Sequence, residues 1–137
     1  MLFLSKINGY DLNERSLCAE YHVSEDCLFY DPVTGAVPAW AGFEFIAQAI
    51  SAFTGLVTRA RGEEPKIGFI MSVSSMHLWF PQFEIGSTAE IRVKEINSID
   101  MVYTFEGEIF VEGRKILKGR LTVMDTTDEQ IEKLKSI

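Results

Sequence analysis

Alternation of apolar and polar residues predicts a half-buried strand near the start of the chain. Over residues 15–24, every second side chain is apolar, and these positions are Leu17, Ala19, Tyr21 and Val23. Successive side chains of a strand point to opposite faces, so this period of two indicates one buried face. Residues 1–7 are the predicted partner strand, with Asn8-Gly9 and Asn13 in the turn between the two strands.

A long apolar segment in the middle of the chain predicts a central helix. The helix is expected to begin at Pro38, because proline is favoured at the first helical position, and to end near Arg61. Gly62 suits the left-handed residue that commonly follows a helix. Apolar side chains occur almost all round this helix, so we expect it to be buried on every side.

Four consecutive strands are predicted after the helix, at residues 67–80, 87–96, 101–111 and following the turn at Glu112-Gly113. In the first of them, the apolar positions change from odd to even numbers at Ser74-Ser75, which indicates a bulge. Short links between successive strands favour an antiparallel sheet. A short terminal helix is predicted after Thr127, which forms a capping-box pattern with Gln130.

One buried helix followed by consecutive strands predicts an α+β hotdog fold. In that architecture an antiparallel sheet, here of five to seven strands, wraps a long central helix. The 137 residues suit a single domain over residues 1–137.

Composition and charge narrow the classes of function. The chain has 20 acidic and 13 basic residues and a net charge of −7, which argues against binding to nucleic acid. Cys18 and Cys27 fit no metal or redox spacing, and neither a metal nor a cofactor is predicted. Glu44 and Gln48 interrupt the apolar segment, and no basic signal region starts the chain. We therefore expect a cytoplasmic protein without a membrane span.

A polar stripe on the apolar helix is the candidate for chemistry. Glu44, Gln48, Ser51 and Gly55 are spaced four, three and four residues apart, so they share one face. Burial would disfavour the charged form of Glu44 and raise its pKa toward the range useful for general acid–base catalysis. Gln48 lies one turn further on and could orient the carboxyl group. The alternative is a structural Glu44, exposed at a groove or paired with an arginine.

Other polar groups are more simply interpreted as surface. His22 falls on the polar face of its strand and His77 beside Trp79, and neither position predicts a catalytic base. Two basic groups are interpreted as solvated faces, with docking of an acidic partner as the alternative. They comprise Arg59, Arg61 and Lys66, and Arg114, Lys115, Lys118 and Arg120.

The helix segment resembles a known enzyme family. Pro38-Ala39-Trp40, followed by Glu44 and Gln48, is similar to the helix motif of the β-hydroxyacyl-carrier-protein dehydratases. The likeness is closest to the dehydratase-like proteins of aryl-polyene pathways, and residues 67–70 and 103–124 share it. The resemblance implies dehydration of a 3-hydroxyacyl thioester on acyl carrier protein to the trans-2-enoyl thioester.

The same resemblance assigns roles to individual residues. Glu44 takes the role of the carboxyl group that assists loss of the hydroxyl, and Gln48 supports it. Backbone N–H groups near Ala39 and Trp40 polarise the thioester carbonyl, as helix N-termini are suited to do. The family histidine that removes the α-proton corresponds to Tyr30, and a tyrosine hydroxyl, with an ordinary pKa near ~10, is a poor base at neutral pH.

A carboxyl group without its histidine leads to a hypothesis about assembly. The chain is expected to form a homodimer, through its strand edges and the apolar helix start. A heteromer is the alternative, in which a second hotdog subunit supplies the histidine to Glu44. Two other functions stay open: a hotdog acyl thioesterase, and a non-catalytic acyl-binding subunit in which Glu44 is structural.

Overall fold

A computed structural model describes residues 4–63 and 69–125, which form one long helix packed against an antiparallel sheet. The helix α1 spans Gly42–Ala60 and is preceded by a 3-10 turn at Ala39–Ala41. The strands are β1 (Lys6–Asp11), β2 (Ser16–His22), β3 (Ala36–Pro38), β4 (Phe69–Leu78), β5 (Gln82–Glu84), β6 (Thr88–Ile99), β7 (Val102–Val111) and β8 (Arg114–Asp125). The predicted α+β hotdog fold is confirmed.

The main sheet has six strands in the order β1-β2-β6-β7-β8-β4, within the predicted five to seven. Every neighbouring pair is antiparallel. A separate ladder joins β3 to β5 and sets Val37 opposite Phe83. Neither β3 nor β5 was predicted, because strands of three residues are too short to show a period of two. Pro38, the predicted first residue of the helix, ends β3, and α1 begins at Gly42.

The helix is buried on one side only, so the prediction of complete burial was wrong. Its buried face carries Phe45, Ile46, Ala49, Ile50 and Phe53, which join the core formed by the inner side chains of the sheet. The opposite face is half-buried or exposed, because the sheet of a single chain covers only one side of α1. The side of α1 that the sheet does not cover therefore keeps apolar side chains that another protein surface can cover.

By length and composition alone, residues 39–60 could cross a membrane, with a mean hydropathy of 1.3. The same values are typical of a core helix in a soluble protein. The packing of Phe45 and Phe53 inside the sheet agrees with the second interpretation.

The first hairpin lies further along the chain than predicted. Of the strand expected at residues 1–7, residues 1–3 lie outside the described residues, and Lys6 and Ile7 begin β1. Asn8-Gly9 lie within β1, where the pairing register shifts between Ile7 and Gly9. The turn occupies residues 12–15 and includes the predicted Asn13, because Asp11 Oδ1 accepts the N–H groups of Asn13 at 2.9 Å and of Glu14 at 3.0 Å. Glycine therefore marks a bulge here, and an aspartate initiates the turn.

The remaining predicted strands are confirmed. β2 buries Leu17, Ala19 and Tyr21 as the alternation indicated. In β4 the register shifts between Val73 and Ser75, at the predicted bulge. The beginning of the strand predicted at residues 67–80 and the terminal helix predicted after Thr127 lie outside the described residues.

Candidate active site

The start of the helix is held between the two small strands and the preceding loop. Ala39 is fully buried, and its N–H group donates to the carbonyl of Pro81 at 2.9 Å. Trp40 is 49% exposed, and its ring meets Phe29 edge-on with centroids 5.4 Å apart. The β3–β5 ladder and this aromatic contact fix the direction in which α1 enters the sheet.

Close packing also fixes the depth of the helix. Gly107 on β7 faces Ile46, and a Cβ atom at this position would lie 2.6 Å from Ile46 Cγ2. A Cβ atom on Gly42 would lie 2.9 Å from Ile109 Cδ1. These two glycines let the first turns of α1 approach the sheet closely, and thereby set the position of Glu44.

Glu44 lies in the first turn of α1, on the face turned away from the sheet. Its side chain is half-buried, so the expectation of a buried carboxyl is only partly met in the single chain. The Nε2 group of Gln48 donates to Glu44 Oε1 at 3.2 Å, the contact that the four-residue spacing predicted.

The hydrogen bond from Gln48 distinguishes the two carboxyl oxygens. Among residues 4–63 and 69–125, Oε1 accepts from Gln48, whereas Oε2 has no hydrogen-bond partner. Oε2 is therefore the oxygen available to carry a proton or to contact a ligand. The arrangement can deliver one proton from a fixed position, as general acid–base catalysis requires.

Among residues 4–63 and 69–125, the two predicted N–H donors at the helix start differ in availability. The Ala39 N–H group is occupied by the carbonyl of Pro81, which removes it from the predicted polarising role. Trp40 follows within the first turn, where N–H groups have no partner inside the helix. The spacing in the sequence could not show this difference, because Pro81 comes from a distant part of the chain.

The structure does not bring Tyr30 into contact with Glu44. Tyr30 is half-buried against the core, and its N–H group donates to the carbonyl of Cys27 at 3.0 Å. Within the described part of the chain, no hydrogen bond joins its side chain to Glu44.

Neither histidine contacts Glu44 in the described residues. His22 lies exposed at the end of β2, with its Nδ1 atom 3.0 Å from Thr88 Oγ1. His77 lies exposed on β4, where its ring centroid is 4.3 Å from that of Trp79. Both positions agree with the interpretation of these residues as surface.

A buried tyrosine and a buried cysteine lie near Phe45, and their proximity was not predicted from the sequence. Tyr21 packs on Phe45 with ring centroids 4.6 Å apart, and the buried Cys27 lies beside it. Burial, followed by the neighbouring Cys27 side chain, raises the pKa of Tyr21 above its ordinary value. The alternation placed Tyr21 inward, but the approach of Cys27 depends on the fold of the loop.

The second basic group is largely neutralised within the chain. Lys115 pairs with Glu108 at 2.7 Å, and Lys118 pairs with Glu106 at 3.1 Å. Arg120 lies 3.5 Å from the same Glu106. The hydrogen bond from Lys118, the largest cause, lowers the pKa of Glu106. These contacts favour a solvated face over a docking surface.

The first basic group lies at the end of the helix. Arg59 and Arg61 are exposed, and Lys66 lies outside the described residues. Gly62 has a φ of 68° and ends the helix as predicted. In the portions of the chain that the structure describes, no three His, Cys, Asp or Glu side chains are grouped so that they could hold a metal ion.

Comparison with known proteins adds a family and a fold. Residues 1–135 match the model of the ApeP-like family, described as ApeP dehydratase. No curated protein matches the chain significantly.

Several solved structures share the fold at low sequence identity. The dehydratase heterocomplex ApeI:P from Xenorhabdus doucetiae has 22% identity and a TM-score of 0.88, covering 98% of this chain and 90% of its own. A hypothetical thioesterase with coenzyme A from Streptococcus pneumoniae has 15% identity and a TM-score of 0.66, with coverages of 89% and 85%. A Streptococcus mutans protein bound to acetyl CoA has 11% identity and a TM-score of 0.64, with coverages of 89% and 88%.

Proposed function

Because the chain belongs to the ApeP-like dehydratase family, we propose that it acts in the dehydration of a 3-hydroxyacyl thioester carried by acyl carrier protein. In this reaction a base removes a proton from C2, and the hydroxyl group leaves C3 as water. The electrons of the broken C–H bond form the C2=C3 double bond of the trans-2-enoyl thioester. The reaction needs no cofactor, only an acid, a base and a polarised carbonyl.

Glu44 is the proposed acid. The observation that carries the proposal is the hydrogen bond from Gln48, which holds Glu44 Oε1 and leaves Oε2 without a partner among the described residues. In the protonated form, Oε2 donates its proton to the departing hydroxyl, which leaves as water. Gln48 is a positioning residue, because it acts on the substrate only through Glu44.

The N–H group of Trp40 is the proposed donor to the thioester carbonyl. Negative charge develops on this oxygen when the C2 proton is removed, and a fixed N–H dipole stabilises it. The helix start supplies such dipoles without side chains. The buried Ala39 contributes to this role by anchoring the turn through Pro81.

The base is proposed to come from a second hotdog subunit. Tyr30 corresponds to the family histidine, and the described residues place neither His22 nor His77 against Glu44. The solved heterocomplex of ApeI and ApeP is a precedent for two different chains in one dehydratase. A heteromer would combine Glu44 of this chain with a loop histidine of its partner in a cytoplasmic complex.

Strand β4 supplies a suitable edge for this assembly. It ends the six-stranded sheet, so one of its backbone sides is unpaired among residues 4–63 and 69–125. Val73 and Leu78 lie opposite the buried Leu121 and Leu117, which places them on the helix side of the sheet. They are nonetheless 45% and 42% exposed. An apolar edge of this kind is stabilised by pairing with a second subunit.

The decisive experiment is a dehydration assay with a 3-hydroxyacyl carrier-protein substrate. The chain is assayed alone and together with a hotdog subunit that carries a loop histidine. We expect turnover only in the mixture, and a loss of about 10²–10⁴ in kcat for Glu44→Gln, the range for an acid–base residue. Glu25→Gln is the matched control, because Glu25 is an exposed loop carboxylate that has no part in the proposed site.

Gln48 needs a test that separates positioning from folding. We expect Gln48→Leu to lower kcat by about tenfold with little change in KM, since it removes one oriented hydrogen bond. Gln48→Glu should restore none of this activity, because it places a second carboxyl group beside the first. If the Glu44→Gln variant, mixed with the second subunit, turned over as fast as the wild-type mixture, the role of the carboxyl group would be refuted. If the wild-type chain turned over fully without the second subunit, the need for a heteromer would be refuted.

Hydrolysis of the thioester is the second candidate, favoured by the fold shared with the hypothetical thioesterase from Streptococcus pneumoniae. A thioesterase would release the free thiol of the carrier and the acid, whereas a dehydratase leaves the thioester bond intact. Measurement of free thiol in the same reactions therefore separates the two. A mixture whose turnover is unaffected by Glu44→Gln would instead assign this chain a non-catalytic role.

A further inference from the structure

A groove runs between strand β1 and the second half of helix α1. Its volume is about 650 Å³, within the range of pockets that bind small molecules. Leu4 and Ile7 form one wall, and Ala52, Gly55 and Leu56 form the other. We call this feature the β1–α1 groove. The floor of the groove is open at Gly55, because this residue has no side chain and nothing lies within 4 Å of a Cβ atom built there.

Two positively charged side chains lie along this apolar groove. Lys6 from β1 and Arg59 from α1 both line it, and both are exposed. In residues 4–63 and 69–125, neither side chain forms an ion pair or a hydrogen bond. Glu63 is the acidic side chain that lines the groove, and it is paired with neither of them. The groove therefore has an excess of one positive charge, although the whole chain carries −7.

The groove continues the stripe that carries Glu44. Ser51 and Gly55 belong to both, and Gly55 lies about three turns beyond Glu44, or roughly 16 Å along the helix axis. β1 is at the opposite end of the six-stranded sheet from β4. Pairing of the β4 edge with a second subunit would therefore leave the β1 side of the groove in place.

We propose that the β1–α1 groove binds an apolar chain whose end carries a negatively charged group. The apolar walls bury the chain, and Lys6 and Arg59 bind the anion by charge-assisted hydrogen bonds. On the proposed dehydration, this hydrocarbon chain would be the far end of the acyl group of the substrate, and only that identification rests on the proposed function. Binding itself needs no functional Glu44.

The test compares two probes of equal length, octanoate and octan-1-ol, by chemical-shift titration of the isotope-labelled chain. The amide signals of Ala52 and Gly55 report on the groove. We expect both probes to shift these signals, with octanoate binding about fivefold more tightly, as an exposed ion pair of modest strength allows. Added salt should reduce this preference, because it screens exposed charges.

Three variants make the test specific. Arg59→Gln should remove most of the preference for octanoate and leave the affinity for octan-1-ol within about twofold. Arg61→Gln is its control, because Arg61 is also exposed at the helix end but does not line the groove. Gly55→Leu should abolish binding of both probes, while circular dichroism verifies that the helix is retained.

Each outcome decides one part of the inference. Equal affinities for the two probes would refute recognition of the anion, and unshifted Ala52 and Gly55 signals would refute the groove as a binding site. Glu44→Gln should bind octanoate as the wild type does. Loss of dehydration with retained octanoate binding thus separates a failure of the catalytic proposal from a failure of this one.

Discussion

Replacing Gly107 with alanine would place a methyl group where α1 lies closest to the sheet. The new Cβ atom would be 2.6 Å from Ile46 Cγ2, 2.8 Å from Cδ1 and 2.9 Å from Cγ1. Ile46 is fully buried, and its Cγ atoms are bound directly to a Cβ atom fixed by the helix backbone. Rotation of the side chain cannot clear all three contacts, so the helix itself must move.

The expected cost follows from the behaviour of overpacked cores. Inserting a methyl group into a close-packed site lowers the free energy of unfolding by about 1–3 kcal/mol. For 137 residues, each kcal/mol corresponds to roughly 3–4 °C in melting temperature. Gly107→Ala should therefore melt about 3–12 °C below the wild type.

Gly55→Ala is the matched control, because a Cβ atom there meets nothing within 4 Å. Alanine is favoured over glycine inside a helix, so this variant should have a free energy of unfolding about 0.5–1 kcal/mol above that of the wild type. Thermal and urea unfolding followed by circular dichroism measure both variants. Replacing glycine with alanine should thus lower the free energy of unfolding at position 107 and raise it at position 55.

A double-mutant cycle tests the assigned cause. Ile46→Ala removes all three crowding atoms and should cost about 2–5 kcal/mol alone, since it leaves a cavity. Combined with Gly107→Ala, the total cost should be smaller than the sum, because the added methyl group fills part of that cavity. Additive costs, or a Gly107→Ala variant as stable as the wild type, would show that the helix does not lie at this depth.

Two further predictions concern ion pairs. The pKa of Glu106 is lowered chiefly by its bond to Lys118, so its contribution is fully present at neutral pH and is lost as pH falls below the ordinary value of 4.5. In urea unfolding at pH 7, Glu106→Gln should lower the free energy of unfolding by under ~1 kcal/mol, and in acid this difference should vanish. A difference that persists at low pH would contradict the pairing of Glu106 with Lys118. Arg15 binds Glu95 with two hydrogen bonds, and the Glu95 side chain is only 8% exposed. Arg15→Met should lower the free energy of unfolding, measured in urea, by about 2–3 kcal/mol, because it leaves this carboxylate unpaired. Arg92→Met removes an exposed ion pair and should lower it by under ~1 kcal/mol. Equal losses in the two variants would refute the role of burial.

Local patterns in the sequence determined most of the elements. The alternation at Leu17, Ala19 and Tyr21 predicted the buried face of β2, because side-chain direction in a strand depends only on parity. The phase change at Ser74-Ser75 predicted the bulge of β4 for the same reason. The four-residue spacing of Glu44 and Gln48 predicted their hydrogen bond, since helix geometry alone brings such side chains together.

Only the tertiary structure decided how these elements share their surfaces. Composition indicated a helix buried all round, but the sheet of one chain covers one side of α1 and leaves Glu44 half-buried. The Ala39 N–H group was lost as a candidate donor because Pro81, far away in sequence, accepts it. The β1–α1 groove likewise depends on how β1 lies against the helix, which no local spacing specifies. Burial, donor availability and cavities are properties of long-range contacts, so they follow from the packed chain and not from its periodicity.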